Sequence, residues 1–528
     1  MRNYIKYLGI LALGMVACEP EFENPIDEQG AYTSGEADFS NYVALGNSLT
    51  AGYADNALYI TGQENSYPNI LAMQFAKVQA TNEFRIPYMA DNAGGLLLGG
   101  QQITGNRRVL SFDAQGNPMP AVYAGTSTTE VTTTLEGPFN NLGAPGAKVY
   151  HLGFEGYGNV EGVAAGMANP YFARFASSPN TSIIADAVAQ NPTFFSLWIG
   201  NNDVLGYATS GGVGVYQDDP SVSPTMYGSN DITNPDVFAA VYSGLVTALT
   251  QNGTEGVLIN IPDVTDVPFF TTVPYAPLDP TNPDFGPQIP TLNTTFGSLN
   301  QAFAVLGVPE RSIVFSETAA SAVVIRDESL PDLSAEITQV LMGGGLDQAT
   351  ATIYGMQFGQ ARQATAEDLI PLTSSGAIGV LNEDRMQALM AMGVPQETAG
   401  MLSVNGVSYP LEDQHVLTID EQAKVAMATS AYNQTIQALA QANNLAFVDA
   451  AAMLSDVAGG GIAFDAGVVT SAYVTGGAFS LDGVHLTPRG YALVANRIIE
   501  EVNETYNARV PKVNIGNYAT VTPSNSVN

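Results

Sequence analysis

The sequence predicts an α/β fold: a central parallel sheet with helices on both faces, three layers in all, elaborated by large insertions. Three observations carry that prediction. Short, predominantly apolar runs end on Gly, Pro or Asp. Helix-period segments with recognisable caps separate them. Of 528 residues, 45% are hydrophobic and only 13% charged, so a large core can be buried. Strands that are apolar on both faces rather than alternating, separated by helices, fit a sheet covered on both faces.

The elements follow in chain order. Residues 42–45 (YVAL) read as a buried strand ending at Gly46. Residues 194–199 (FFSLWI) form a second, ending at Gly200, and 257–261 (VLINI) a third, ending at Pro262-Asp263. Residues 445–448 (LAFV) form a fourth, ending at Asp449. Asn234-Pro235 supplies an N-cap and an N1 proline before VFAAVYSGLVTAL. Thr418 and Glu421 pair as a capping box before a helix with Val425, Ala428, Tyr432, Ile436 and Leu439 on one face. Thr487-Pro488 opens a last helix, GYALVANRIIEEVNETY.

Two segments break this alternation inside one domain spanning 39–510. Residues 80–136 are rich in Gly, Thr and Asn and include GGLLLGG, which suggests a hairpin-bearing insertion. Residues 268–290 hold seven of the 30 prolines, which argues against regular structure there. Beyond them, 300–412 reads as largely helical and carries six of the 15 methionines, between Met342 and Met401. Such methionines can wall an acyl chain, but helical core packing is the expectation. The whole of 268–412 is expected to be an insertion or cap. The tail, 511–528, is polar and expected to be loose.

The first 18 residues read as an address. Arg2 and Lys6 precede a ten-residue apolar run, 8–17, too short to span a bilayer comfortably but right for a secretory signal. The run closes on MVAC, which resembles the lipobox of bacterial lipoproteins; the resemblance implies acylation of Cys18, the single cysteine. By the same resemblance, Glu19 implies sorting to the outer membrane, facing the periplasm or the cell surface. Residues 19–38 are acidic and contain Pro20, Pro25 and Gly30, as a tether would.

Composition excludes several classes of function. Acids number 50 against 17 bases, a formal charge of −33, which repels a phosphate backbone and makes nucleic acid a poor partner. One cysteine excludes an internal disulfide, a Cys-based zinc site and a CxxC redox centre. Imidazole chemistry must use His151, His415 or His485.

Four segments at strand ends or before helices can carry chemistry. Gly46-Asn47-Ser48-Leu49 follows the first strand and can present a hydroxyl on a tight turn. Asn141-Leu142-Gly143-Ala144-Pro145-Gly146 is a Gly-rich turn with unhindered N–H groups. Gly200-Asn201-Asn202-Asp203 places amide side chains at a strand end. Asp482-Gly483-Val484-His485 has the spacing for a carboxylate to orient an imidazole. Each alone is an ordinary turn or Asx motif.

Together, in the order Ser, Gly, Asn, Asp-His, they resemble the blocks of the SGNH (GDSL-type) hydrolase family. ALGNSLTAGY is similar to the first block, NLGAPG to the glycine block, GNND to the G-x-N-D block and DGVHLTPRGY to the Asp-x-x-His block; LINIPDVTDVP, after GNND in the chain, resembles the strand-and-loop segment of many members. The likeness covers roughly 42–265 and 416–505 and leaves 268–412 unexplained. The resemblance implies Ser48 as nucleophile, His485 as general base and then acid, and Asp482 as the group orienting it. It implies an oxyanion hole of the Ser48 N–H, the Gly146 N–H and the Asn202 amide, with no metal or organic cofactor. One departure stands out: the usual Gly-Asp-Ser-Leu is Gly-Asn-Ser-Leu, with Asn47, whose amide can still bond the turn.

His151 is expected to pack or lie at the surface, His415 to sit in a solvated turn beside Glu412 and Asp413, and Asp218-Asp219 to be solvated loop. The functional expectation is a membrane-anchored ester hydrolase working through an acyl-serine on a lipid ester, a lysophospholipid or an acyl or acetyl ester of a glycan. The alternatives are an acyl transferase using the same residues and a catalytically idle surface lipoprotein that binds glycan or lipid.

Overall fold

A computed structural model describes residues 32–112 and 118–523. Cys18, the signal segment, residues 19–31 of the tether and the last residues, 524–528, lie outside the described residues. The chain folds as an α/β protein around a five-stranded, all-parallel sheet. Its strands are β1 (Tyr42–Gly46), β2 (Asn141–Gly143), β3 (Phe194–Trp198), β4 (Glu255–Ile259) and β5 (Ala446–Val448), in spatial order β5-β4-β3-β1-β2. Every residue of β1 and β3 is buried. Successive side chains of a strand point to opposite faces, so both faces of the sheet centre are covered.

Four of the strands are the apolar runs read from sequence. The fifth, β2, is part of the Gly-rich segment expected to be a turn. It has one apolar side chain, Leu142, and is a strand because β1 pairs with it: Gly46 sits opposite Gly143 on one side and Trp198 on the other.

The principal helices are α1 (Ser48–Ala51), α2 (Tyr67–Phe75), α3 (Asn202–Thr209), α4 (Pro235–Thr250), α5 (Ile419–Ala442), α6 (Ala450–Gly459) and α7 (Pro488–Thr505). The expected caps hold. The Asn234 carboxamide oxygen accepts from the Asp236 and Val237 N–H groups, Thr418 and Glu421 form the capping box, and Thr487 Oγ1 accepts from the Gly490 N–H. On α5 the predicted face is buried at Val425, Ala428, Tyr432 and Ile436, with Leu439 partly buried. Phe238 of α4 stacks on Tyr432 of α5 at 4.0 Å, and Phe39 stacks on Phe75 of α2 at 4.0 Å. Among the described residues, no helix is long and apolar enough to cross a membrane.

Residues 80–136 do carry hairpins, Leu96–Leu98 with Gln101–Gln102 and Arg108–Phe112 with Pro118–Val122. The second insertion has a core of its own, built on Phe296, Phe303, Ile325, Ile337 and Phe358. Its prolines do not prevent structure. Pro268 and Pro290 stand in the first turns of the helices Pro268–Thr271 and Ile289–Val305, where a missing N–H costs nothing. Its helical part is interrupted by a small antiparallel pair, Val324–Arg326 with Ala361–Gln363. Five of the six methionines are not its packing: Met342, Met356, Met390, Met392 and Met401 are exposed, while Met386 packs against Ile353, Leu389 and Ala399.

Two expectations of looseness are corrected. The described tail is docked. Asn496 of α7 accepts from the Val513 N–H and donates to the Val513 carbonyl, each at 2.8 Å. Ile515 is buried in the main core, and Ala519 accepts from the Arg489 N–H. The tether ends by about residue 33. The Thr33 carbonyl accepts from the Arg509 N–H, the Glu36 N–H donates to Tyr506, and Ala37 is buried.

Candidate active site

The site forms beyond the carboxyl ends of β1, β2 and β3, where loops of a parallel sheet leave the core. Two glycines let these strands close up. A Cβ on Gly46 would stand 2.3 Å from the Trp198 carbonyl oxygen, and one on Gly143 would stand 2.3 Å from the Ala51 nitrogen. Neither contact is possible for another residue.

Asn47 follows, fully buried. Its Oδ1 accepts from the Leu49 N–H at 3.0 Å, and its Nδ2 donates to Asn201 Oδ1 at 3.1 Å. Asn47 thus fixes the turn after β1 and ties it to the turn after β3. A carboxylate would keep the first of these bonds but lacks the hydrogens for the second. Ser48, the first residue of α1, is 6% exposed.

The loop before α7 brings the partners. His485 Nε2 lies 2.9 Å from Ser48 Oγ, and His485 Nδ1 lies 2.9 Å from Asp482 Oδ2. Asp482 is buried, and burial alone would raise its carboxyl. The His485 ring and the His485 and Val484 N–H groups (2.8 and 2.9 Å) outweigh that and hold it well below the usual carboxylate range. A hydroxyl bonded to an imidazole that a carboxylate orients can lose its proton as it attacks.

Further residues, not singled out from sequence, hold this relay. The Asn56 N–H donates to Asp482 Oδ2 at 2.9 Å, the oxygen that faces the imidazole. Ser480 Oγ donates to the other oxygen at 3.1 Å. Asp55 and Asn56 both take left-handed backbone, φ +54° and +67°, which an Asp-Asn pair tolerates better than most. Asp55 in turn accepts from the Leu481 N–H and the Tyr59 hydroxyl. The Tyr53 ring lies 4.5 Å from the His485 ring. The string YADN, next to the serine block, was the available signal. Its Asp-Asn pair marks a turn, but nothing in it names Asp482 as the target.

The other expected groups share the same sheet end. Asn202 lines one small cavity with Ser48 and His485 and donates one amide hydrogen to the Ala147 carbonyl at 2.9 Å. Gly146 is three residues beyond the register partner of Gly46, with φ +82°. Among the described residues, neither the Ser48 nor the Gly146 N–H donates to a protein acceptor. Asp203, part of the GNND block but given no role from sequence, braces this loop. It accepts from the Val149 N–H at 2.9 Å and the Thr233 hydroxyl at 2.7 Å. Burial pushes its carboxyl up to about 6, against the Thr233 bond and the Lys148 charge.

The remaining candidates lie apart from this relay. His151 packs: its ring stacks on Tyr157 at 4.5 Å, Nδ1 accepts from the Lys148 N–H, and burial pushes its pKa down to about 4. His415 is not in a solvated turn. It is half-buried with Nδ1 3.1 Å from Ser374 Oγ, and burial lowers its pKa. Asp218 and Asp219 are not buried, and Asp219 accepts from the Ser221 N–H. Among the described residues, no group of three or more His, Cys, Asp or Glu is placed to hold a metal. A separate cavity of about 1340 Å³ lies within the second insertion, remote from Ser48 in lining.

Comparison with models of known families, with curated proteins and with solved structures gives no significant match for this chain.

Proposed function

We propose that this protein is a serine ester hydrolase with the three-layer α/β/α architecture of the SGNH type, held to the outer membrane through acylated Cys18. The observation that carries the reading is the Ser48–His485–Asp482 relay, with both links at 2.9 Å. Ser48 Oγ attacks the ester carbonyl carbon as His485 Nε2 takes its proton. Asp482 holds the imidazole in the right tautomer and stabilises the imidazolium. The oxyanion is met by the Ser48 and Gly146 N–H groups and the remaining amide hydrogen of Asn202. The carbon–oxygen bond to the alcohol breaks as His485 returns the proton to it. Water then repeats the sequence on the acyl-serine, releasing the acid and restoring the hydroxyl.

A fluorophosphonate probe tests this directly. The wild-type protein should be labelled once, at Ser48, and Ser48→Ala should not be labelled. Labelling that is absent, or equal in the two proteins, would sink the reading.

A further inference from the structure

The chain enters the sheet at one end and carries Ser48 at the other. Ser48 and Asn202 lie just beyond the carboxyl ends of β1 and β3. The entering segment is docked at the amino ends. The Asp38 N–H donates to the carboxylate of Glu255, the first residue of β4, at 3.1 Å. The Glu36 N–H donates to the Tyr506 carbonyl at 2.8 Å. The Tyr506 hydroxyl in turn donates to the Gly256 carbonyl at 2.7 Å and accepts from the N–H of Ala446, the first residue of β5. Gly35 fits there only as glycine: its φ is +63°, and a Cβ would stand 2.2 Å from the Tyr506 carbonyl oxygen. All five strands are parallel, so the docked segment and Ser48 lie at opposite ends of the sheet.

Length then limits how the domain can stand on a membrane. Only residues 19–32 separate Cys18 from Thr33, whose carbonyl is already bonded to Arg509. Whatever path they take, they reach at most about 54 Å. A compact domain of about 490 residues has a radius of gyration of about 23 Å, which makes it about 60 Å across and about 90 Å from pole to pole over its surface. The tether can therefore lay the domain on its side but cannot turn its site end onto the bilayer. Ser48 stays on the order of 20–30 Å clear of the lipid surface. A lipid lifted that far takes its chains into water, at about 0.8 kcal/mol per methylene. The acidic chain, with 50 acids against 17 bases, supplies no general attraction to anionic lipid that could offset this.

We infer that Ser48 serves an ester that arrives through water, on a soluble or glycan-borne molecule, and not a lipid of the bilayer to which the protein is anchored. The inference rests on two readings, Ser48 as the nucleophile and Cys18 as the acylated anchor.

The test uses the acylated full chain in phosphatidylcholine vesicles, dilute enough that vesicles do not meet, with attachment read by flotation. Fluorophosphonate is offered in three forms: free in water, coupled by a short link to the headgroup of a phospholipid in the same bilayer, and on the same lipid through a link long enough to span the domain. The free probe should label Ser48 within about twofold of its rate on the detached Cys18→Ala protein, because a tether does not alter access from water. The short-link lipid should label at least about 100-fold more slowly than the long-link one, since a link that cannot span two sites gives an effective concentration near zero. Vesicle-bound protein should also leave a fluorogenic phosphatidylcholine of the same bilayer intact while hydrolysing p-nitrophenyl acetate. If the free probe does not label Ser48, the nucleophile reading fails and the inference falls with it. If the exported wild-type protein does not float with the vesicles, the anchor reading fails, with the same consequence. If both hold but the short-link lipid labels as fast as the long-link one, or the phosphatidylcholine is hydrolysed, the inference alone is overturned.

Discussion

Asn202, the proposed oxyanion donor, gives one amide hydrogen to the Ala147 carbonyl at 2.9 Å and lines one small cavity with Ser48. A donor of this kind matters most when negative charge develops on the carbonyl oxygen, so its loss lowers kcat more than it raises KM. Asn202→Ala should cost about 10²–10³ in kcat, roughly 3–4 kcal/mol, and Asn202→Asp at least as much because it sets a carboxylate beside the oxyanion. kcat, KM and the thermal midpoint of both variants decide the matter. Damage that tracks a lowered midpoint would make Asn202 a structural tie to Ala147 instead. Asp482 leads to a pH prediction. Its carboxyl, held well below the usual range, stays ionised through the neutral and mildly acidic range. The acid limb of kcat/KM should therefore carry no proton on Asp482 and show a logarithmic slope of about one. A slope near two would mean that Asp482 titrates in the same range. Because its folded pKa is depressed, Asp482 adds stability above the unfolded value of about 3.9, and that contribution is lost as pH falls below it.

At the scale of elements, what could be read in advance depended on where the stabilising interaction resides. Strands β1, β3, β4 and β5 were legible because their own side chains are apolar. The caps at Asn234, Thr418 and Thr487 were legible because a cap is a local bond between neighbours in sequence. The relay of Ser48, His485 and Asp482 was legible through its blocks, each a short string at a strand end or before a helix. The interactions that escaped are long-range or made by backbone. β2 has one apolar residue and exists because Gly46 and Gly143 allow close approach. The support of Asp482 by the Asn56 N–H joins residues 426 apart in sequence and uses no side chain of Asn56. The tail was misread for the same reason. Its polar residues look solvated, yet the Val513 backbone is satisfied by Asn496, and Ile515, with Val513 and Tyr518 packed beside it, anchors the tail in the core.

At the scale of the whole molecule, the second insertion is a body with its own core that also reaches the loop carrying Asp482 and His485. The Phe269 N–H donates to the Gly483 carbonyl at 2.9 Å, between Asp482 and His485 in sequence, and Phe269 packs in the main core. Within the insertion's own core region, one cation is decisive. Arg362 bonds Asp327 through Nε at 2.7 Å and Asp368 through both terminal nitrogens at 2.6 and 2.7 Å, and the two carboxylates are buried. Burial alone would lower the Arg362 pKa, but the two aspartates raise it above the ordinary arginine value. Removing the guanidinium leaves two buried negative charges without a counter-charge, a loss of roughly 3–5 kcal/mol for a broken buried pair. Arg362→Ala should therefore destabilise the insertion before the sheet. Thermal or urea unfolding should show an early transition absent from the wild type, while helical signal from the sheet domain persists to the later one. Fluorophosphonate labelling of Ser48 through that early transition then reports whether the contact from Phe269 to Gly483 holds the site. Labelling should be lost with the first transition if it does, and only with the second if the sheet domain suffices. A single transition at the wild-type midpoint would show that Arg362 is not the keystone of the insertion.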